Sequence, residues 1–547
     1  MHRRWTFWHW VTLASFVLLV IFLLFPVGQL LFKSFLAKDG SFTLKHYATF
    51  FAKKYYRVSL FNSLWVCALS TLFATAIGVP MAFLLTRYHL PFKGLFRILI
   101  ILSLLSPPFI GTYSWIILLG RAGLVTKALA AIGITMPTIY GPGGIVLIFT
   151  LHFFPYVYMF TAAALQGIDR SLEEVAENLG RSGWAKMRTV TLPLVLPSIS
   201  AGALMAFMSA LADFGTPMLI GEGYKLLPIV AYDEFMAEIG GNPGLAGALS
   251  VGLVLVSTVA LYAQRWIISR RNYTMSALRP PEVKRLPLGA RIAATAFCAV
   301  TIGVAILPQV VVVISSFMKT KGPIFIREWG FTNYAAVFRQ VPAAVLNTFR
   351  LSGVAIVIMV LAGLLLAYVI TRRRSAATAT LDAMLTVPYV LPGTVIGIAL
   401  ITAFNKGPLI LTGTGTILVI AFVVRKISYT VRSASAVLQS IEPSIEEASI
   451  NLGVAPVKSF FKVTAPLMFT GVAAGAVLSW VTTINELSST IVLYHAGTMT
   501  MPVAVYSQVI SDNFGTAAAL SSILTLVTVI SLALFQRIAG KDSGLLL

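Results

Sequence analysis

Runs such as VTLASFVLLVIFLLFPVGQLLF, beginning at Val11, limit most severely how this chain can fold. A helix rises 1.5 Å per residue, so roughly 20 apolar residues cross a hydrocarbon core of about 30 Å. Twelve apolar stretches reach that length, near 11–33, 60–86, 95–119, 144–167, 196–220, 247–269, 292–316, 345–371, 381–404, 413–434, 467–493 and 518–538. Only 11% of the 547 residues are charged, against about 25% in soluble domains. The pattern predicts an all-α polytopic membrane protein. A membrane β-barrel needs strands that alternate apolar and polar residues, and the runs do not alternate. The net charge of +22 does not indicate nucleic-acid binding, because the cations sit in short loops between spans, where they set orientation. Cys67 and Cys298 fall in apolar stretches and read as small buried hydrophobes. The first stretch is longer than a signal-peptide core, so it reads as an uncleaved span held inside by Arg3 and Arg4.

The twelve spans form two copies of six. Glu174 matches Glu447, Gly180 matches Gly453, Pro193 matches Pro466 and Gly202 matches Gly475, every pair 273 positions apart. Upstream the separation is 285: Asn62 matches Asn347, Thr86 matches Thr371 and Pro107 matches Pro392. The first copy therefore carries 12 additional residues (285 − 273) around GLVTKALAAIGITMPTIYGPGG. Six spans is an even number, so both copies start and finish on one side, as parallel repeats. The expected divisions are 1–270, a basic proline-bearing linker at 271–290, and 291–547. Both termini, the linker and the loops after each fourth span are expected to be cytoplasmic. On that topology Ala277 is inside and Gly240 outside. The basic segment between spans one and two runs against the charge rule and is still expected outside.

Two polar islands interrupt the apolar pattern, EEVAENLG from Glu173 and EEASINLG from Glu446. Ser171 with Glu174, and Ser444 with Glu447, have the S-x-x-E spacing of a capping box. Leu172, Val175, Ala176 and Leu179 then fall on one helical stripe, as do Ile445, Ala448, Ser449 and Leu452. Gly180 and Gly453 follow, where a helix ends with left-handed backbone. Each island is thus predicted to be a short, sharply ended amphipathic helix. Helices that lie on lipid favour Lys and Arg on their polar face. These carry Glu173, Glu174 and Glu177, and Glu446 and Glu447, which suits a protein partner better.

The stretches LQGIDRSLEEVAENLGRSGWAKMRTVTLPLVLPSISAG and LQSIEPSIEEASINLGVAPVKSFFKVTAPLMFTGVAAG resemble the E-A-A…G…(I/V)-x-L-P loop of ABC-importer permeases. The resemblance implies the type I importer permease fold. It implies coupling helices that dock on an ATPase through Glu173, Glu174, Ala176, Gly180 and Pro193, and through Glu446, Glu447, Ala448, Gly453 and Pro466. Val175, Ser449 and Ala465 depart from the family pattern without altering the helix-and-stop logic. No G-x-x-x-x-G-K-[ST] phosphate loop and no catalytic constellation is present. The expectation is therefore a transport subunit without a cofactor of its own, not an enzyme. Its implied partners are two copies of an ATPase, a soluble substrate-binding protein and membrane lipid, in a bacterial inner membrane. The segments LADFGTPMLIGEGYKLLPIVAYDEFMAEIGGNP and INELSSTIVLYHAGTMTMPVAVYSQV resemble fused ferric-iron permeases. Related permeases carry phosphorylated sugars, aminoalkylphosphonates, thiamine or polyamines. Bare iron favours carboxylate, tyrosine or histidine donors, and no tight cluster of these stands out within the spans. An ion-driven secondary transporter can also have parallel six-span repeats, but the doubled coupling loop argues against it.

Asp213 and Glu486 are the acids placed well inside apolar spans, again 273 apart. Charge in the bilayer is costly and usually faces the bundle interior or a wet cavity. Two roles fit the pair: lining the translocation path or its outer gate, or satisfying backbone N–H groups freed where Gly215, Pro217 and Ser488–Ser489 interrupt the helix.

Overall fold

The structure, a computed structural model, describes residues 6–37, 39–237, 241–269, 279, 282–322 and 324–539. Gly240, Ala277 and residues 271–278 of the linker lie outside these. Among the described residues, ten helices are long and apolar enough to cross a membrane. A bent pair, Ala376–Pro388 with Gly393–Phe404, which turns through 110°, gives an eleventh when counted as one span. The helix Gly415–Ser440 completes twelve; it is as long as its neighbours but carries Arg425, Lys426 and Arg432. The third span of each repeat is broken at the same place. Pro107 and Pro392, which are 285 apart, adopt extended ψ values of 135° and 146°. A proline disfavours helical geometry in the residue before it and removes a backbone donor.

Each repeat also contains a π-helical turn after its polar island, Met187–Thr191 and Phe460–Thr464. The helices that follow, Leu192–Ala212 and Ala465–Ile484, have Pro193 and Pro466 as their second residue. A missing N–H next to a widened turn lets the helix continue through the proline rather than end there. The two sequence-matched prolines thus sit inside continuous helices, at the seam between π and α geometry.

Contacts divide the chain into two compact units. One comprises Phe51–Val230 and Gly252–Ile314. In it Lys54–Arg87 packs on Pro142–Gln166, and both pack on Leu192–Ala212. Glycine permits that closeness: a Cβ on Gly78 would lie 2.8 Å from Phe154 O, and one on Gly202 2.8 Å from Val157 Cα. Close helix approach through small residues is the usual basis of packing in lipid, where apolar area alone gives no preference for protein over acyl chain. The helix Leu288–Ser316 contributes Ala294, Cys298, Ile302 and Ala305 to the same core, against residues such as Met81, Leu85, Ile100 and Phe154.

The other unit comprises Met1–Phe50, Ala231–Val251 and Ser315–Ser543. Its spans Pro342–Arg372, Gly415–Ser440 and Ala465–Ile484 repeat the same packing. Gly363 and Gly475 both meet Thr430 at 2.6–2.7 Å from an added Cβ. The chain's first helix joins this unit. Trp8 stacks at 4.2 Å from Tyr368 and 4.9 Å from Phe460, and Lys33 donates to Thr402 O at 2.8 Å. The first span of each repeat is therefore packed in the unit built on the body of the other repeat. The unit also contains a short antiparallel hairpin, Met318–Lys321 with Ile324–Trp329, which hydropathy reading does not find because its strands are only four and six residues long.

Candidate functional site: the polar loops and the ends of the fifth spans

The first polar island forms the helix Arg170–Asn178 and the second Pro443–Asn451. Their starts differ from the expected capping boxes. The first N-cap is Asp169, whose carboxylate accepts from Ser171 N at 2.8 Å and from Arg279 N at 3.1 Å. Glu174 is free of cap duty and pairs with Arg170 at 2.8 Å. The second helix begins with Glu442 as N-cap and Pro443 as its first residue, without a side-chain cap. A carboxylate at 169, or a proline whose missing N–H needs no partner, starts the helix earlier than Ser171 and Ser444 do.

The ends agree with expectation in detail. Gly180 and Gly453 have φ of +78° and +89°. Gly180 N donates to Glu177 O and Arg181 N to Ala176 O, both at 2.9 Å, while Gly453 N donates to Ile450 O at 2.9 Å and Val454 N to Ser449 O at 3.2 Å. This paired pattern closes a helix through a left-handed residue, which glycine adopts without steric cost.

Burial divides the two helix faces. Ala176 is turned inward and buried, whereas Leu172 and Val175 are exposed and Leu179 is 77% exposed. In the second copy Ile445 and Ala448 are exposed and Leu452 is 86% exposed. Leucines this exposed just before a helix stop, 273 positions apart, form an outward apolar edge on each loop. Glu173 and Glu446 point the other way. Glu173 pairs with Arg87 at 2.8 Å and with Lys186 at 3.5 Å. Glu446 accepts from Tyr368 Oη at 2.5 Å and from Thr464 Oγ1 at 3.0 Å. These two acids fasten each loop to its own spans, and Glu174 and Glu447 stand on the accessible side. In the first copy Glu177 adds Lys186 at 2.7 Å and Lys284 at 3.8 Å.

At the far end of each fifth span the two repeat-matched acids have different surroundings. Asp213 follows Leu192–Ala212 and accepts from Gly215 N and Thr216 N, both at 3.2 Å, at the start of the helix Gly215–Ile220. Glu486 is buried, accepts from Ser489 N at 3.1 Å, and is clamped by Arg425 and by Lys426, the latter at 3.0 Å. Reading the sequence for acids alone misses these two cations. The signal was present as VVRKIS inside the tenth span, with His152 at the position matching Arg425.

Beyond that point each repeat places a short helix by the same two bonds. Asn62 Nδ2 donates to Lys225 O at 3.2 Å, and Leu227 N donates to Ser63 Oγ at 2.8 Å. Asn347 Nδ2 donates to Gly497 O at 3.0 Å and to Met499 O at 3.1 Å, and Met501 N donates to Thr348 Oγ1 at 2.7 Å. The helices so anchored, Leu227–Met236 and Met501–Ile510, carry LPIVAY and MPVAVY, which sets Tyr232 and Tyr506 at matching places. Tyr506 lies within electrostatic reach of Tyr232, Asp233 and Tyr494, and Tyr232 within reach of Tyr494 and Asp233, all partly exposed and all in one packing unit. Burial raises the Tyr506 and Tyr232 phenols first, and their acidic neighbours raise them further. Among the described residues no group of three or more His, Cys, Asp or Glu could hold a metal ion.

A transport family matches this duplicated chain twice. The family described as the binding-protein-dependent transport system inner membrane component aligns with residues 74–273 and 359–541. The chain belongs to this family. The permease is 27% identical to a ferric transport system permease protein of Actinobacillus pleuropneumoniae, over 96% of this chain and 78% of that one. It is 26% identical to a putative ferric transport system permease protein of Haemophilus influenzae, over 89% and 78%. It is also 32% identical to the molybdenum transport system permease protein of Escherichia coli, over 38% of this chain and 93% of that shorter one. The permease is thus a multi-pass transport subunit of the ABC type, not an enzyme, from a family that works with an ATPase and a substrate-binding protein.

Proposed function

We propose that the permease imports ferric iron delivered by a soluble binding protein, driven by two ATPase copies, one docked on each polar loop. Both termini and both loops then face the cytoplasm. The observation that carries the cargo assignment is the alignment of nearly the whole fused chain with a ferric permease. Tyr232, Tyr494, Tyr506 and Asp233 supply hard oxygen donors suited to ferric iron beyond the end of the fifth spans. The outward Leu179 and Leu452 edges support docking of one ATPase at each loop, since exposed apolar positions of this kind mark protein contact sites. Glu173 and Glu446 serve that docking indirectly, by holding each loop on its spans, while Glu174, Glu447, Ala448 and the Gly180 and Gly453 stops shape the contact surface.

The test is uptake into proteoliposomes holding the permease, its ATPase and its binding protein. ATP-dependent accumulation of ferric iron is expected, reduced by Tyr232→Phe with Tyr506→Phe. Uptake of another cargo with no iron uptake would overturn the reading. One observation favours a second cargo class. Arg425 and Lys426 outnumber Glu486, an arrangement that suits an anion such as molybdate, so molybdate belongs in the same assay as a competitor.

A further inference from the structure

A cavity of about 660 Å³ opens where Tyr88–Pro91 leaves the second span and the helix Leu288–Ser316 begins. Its walls are apolar, from Leu90, Pro91, Ile292, Ala296 and Ala299, and its mouth carries His89 and Arg291. Both halves of the cavity lie in one packing unit. Arg291 is exposed and forms no ion pair among the described residues. Thr295 does not answer it, because its hydroxyl donates to Arg291 O at 2.7 Å. A further pair of cations, Lys93 and Arg97, lies one turn apart on the helix Lys93–Leu105 that follows. Lys93 is held below the usual lysine range by burial and by Arg97. Around the mouth, Phe92 is 69% and Leu288 64% exposed, as befits side chains that meet acyl chains.

An apolar slot with an exposed, unpaired arginine at a span end is complementary to an anionic lipid. We propose that this cavity binds a phospholipid with an anionic headgroup, its phosphate on Arg291 and an acyl chain along Ile292, Ala296 and Ala299. The site adjoins the fastening of the first polar loop. His89 N donates to Lys284 O at 3.1 Å, and Lys284 N donates to Arg87 O at 2.9 Å. Arg87 holds Glu173, and Lys284 approaches Glu177. A lipid seated on His89 and Arg291 therefore braces the strand-like segment from which the loop is held.

The experiment uses the full permease with its ATPase in nanodiscs, either of phosphatidylcholine alone or with phosphatidylglycerol added. Lipid retained after detergent extraction is read by native mass spectrometry. Preferential retention of phosphatidylglycerol is expected. Arg291→Gln should lower that preference by about fivefold, from roughly one cation's attraction at the interface. Ala296→Trp, which fills the slot and leaves the cation, should abolish retention. Equal retention of both lipids, or an unchanged preference in both variants with the ATPase still co-purifying, overturns the proposal. So does displacement of the lipid by inorganic phosphate alone, which would make the site a free-phosphate site.

Discussion

Asp213 and Glu486 close the same span of the two repeats, yet one caps a helix break with backbone donors and the other is locked by Arg425 and Lys426. The matching loops differ in the same sense. Glu173 is held by Arg87 and Lys186, whereas Glu446 is held by a phenol and a hydroxyl. Duplication kept the acid at each place and let its partner drift. Position in a repeat therefore specifies where a carboxylate is needed, and the unit around it decides whether charge or hydrogen bonding satisfies it.

The largest asymmetry should appear at the span ends. Glu486→Gln leaves Arg425 and Lys426 buried without their counter-charge, and breaking a buried ion pair from one side costs about 3–5 kcal/mol. Asp213→Asn keeps an acceptor for only one of Gly215 N and Thr216 N, which use different carboxylate oxygens, and should cost less, about 1–3 kcal/mol. Thermal unfolding of the purified permease in detergent measures both. Adding Lys426→Met to Glu486→Gln should recover part of the loss. Equal effects at the two positions would mean that the buried clamp contributes nothing beyond the backbone bonds.

The next contrast lies in how each loop is fastened. Glu173→Gln removes the charge facing Arg87, which is 9% exposed, and should destabilise the loop by about 1–3 kcal/mol. Glu446→Gln keeps an acceptor for only one of Tyr368 and Thr464, which use different carboxylate oxygens, but strands no cation, and should cost less. Protease sensitivity of each loop, read by fragment mass, separates them. A second repeat that proves the more sensitive would reverse the assignment of charge to the first.

Where the repeats agree, the response should agree too. Leu179→Asp and Leu452→Asp change residues that touch little within the permease, so its stability should stay put. Each should weaken ATPase co-purification by about tenfold, the loss of somewhat more than 1 kcal/mol at an apolar contact. A loss at one loop only would indicate that a single ATPase copy suffices for assembly.

Much of this was legible in the sequence for physical reasons. Span length and the glycine stops follow from hydropathy and φ preference, which act locally; the breaks in the third spans were not expected, although Pro107 and Pro392 carried the signal for them. The capping boxes failed because Asp169, and Glu442 followed by Pro443, take the N-cap two residues earlier than Ser171 and Ser444, and local spacing cannot rank such competitors. The Arg425–Lys426–Glu486 clamp was not legible because its members are about 60 positions apart and only packing joins them. Nor could hydropathy show that Glu173 turns inward while Leu179 turns outward. That orientation depends on Arg87, at the end of a span that the loop does not adjoin in sequence.

The smallest expected difference concerns acid. Glu177 lies below the usual carboxylate range, chiefly because Lys186 donates a hydrogen bond to it, then through the charges of Lys186 and Lys284. A carboxyl with a lowered folded-state pKa stabilises the fold above its ordinary pKa of about 4.3. That contribution falls away as pH drops through the folded value. The matching residue in the second repeat is Ile450, which has no proton to take up. Spin labels on Asn178→Cys and Asn451→Cys, in a chain lacking Cys67 and Cys298, report the mobility of the two loops. As pH falls from 7 to below about 4, the first label should loosen more than the second, and Glu177→Gln should remove the difference by leaving the first loop loose throughout. An equal response in both loops, or an acid transition that persists in the Gln variant, would show that the Glu177 clasp does not hold the first loop.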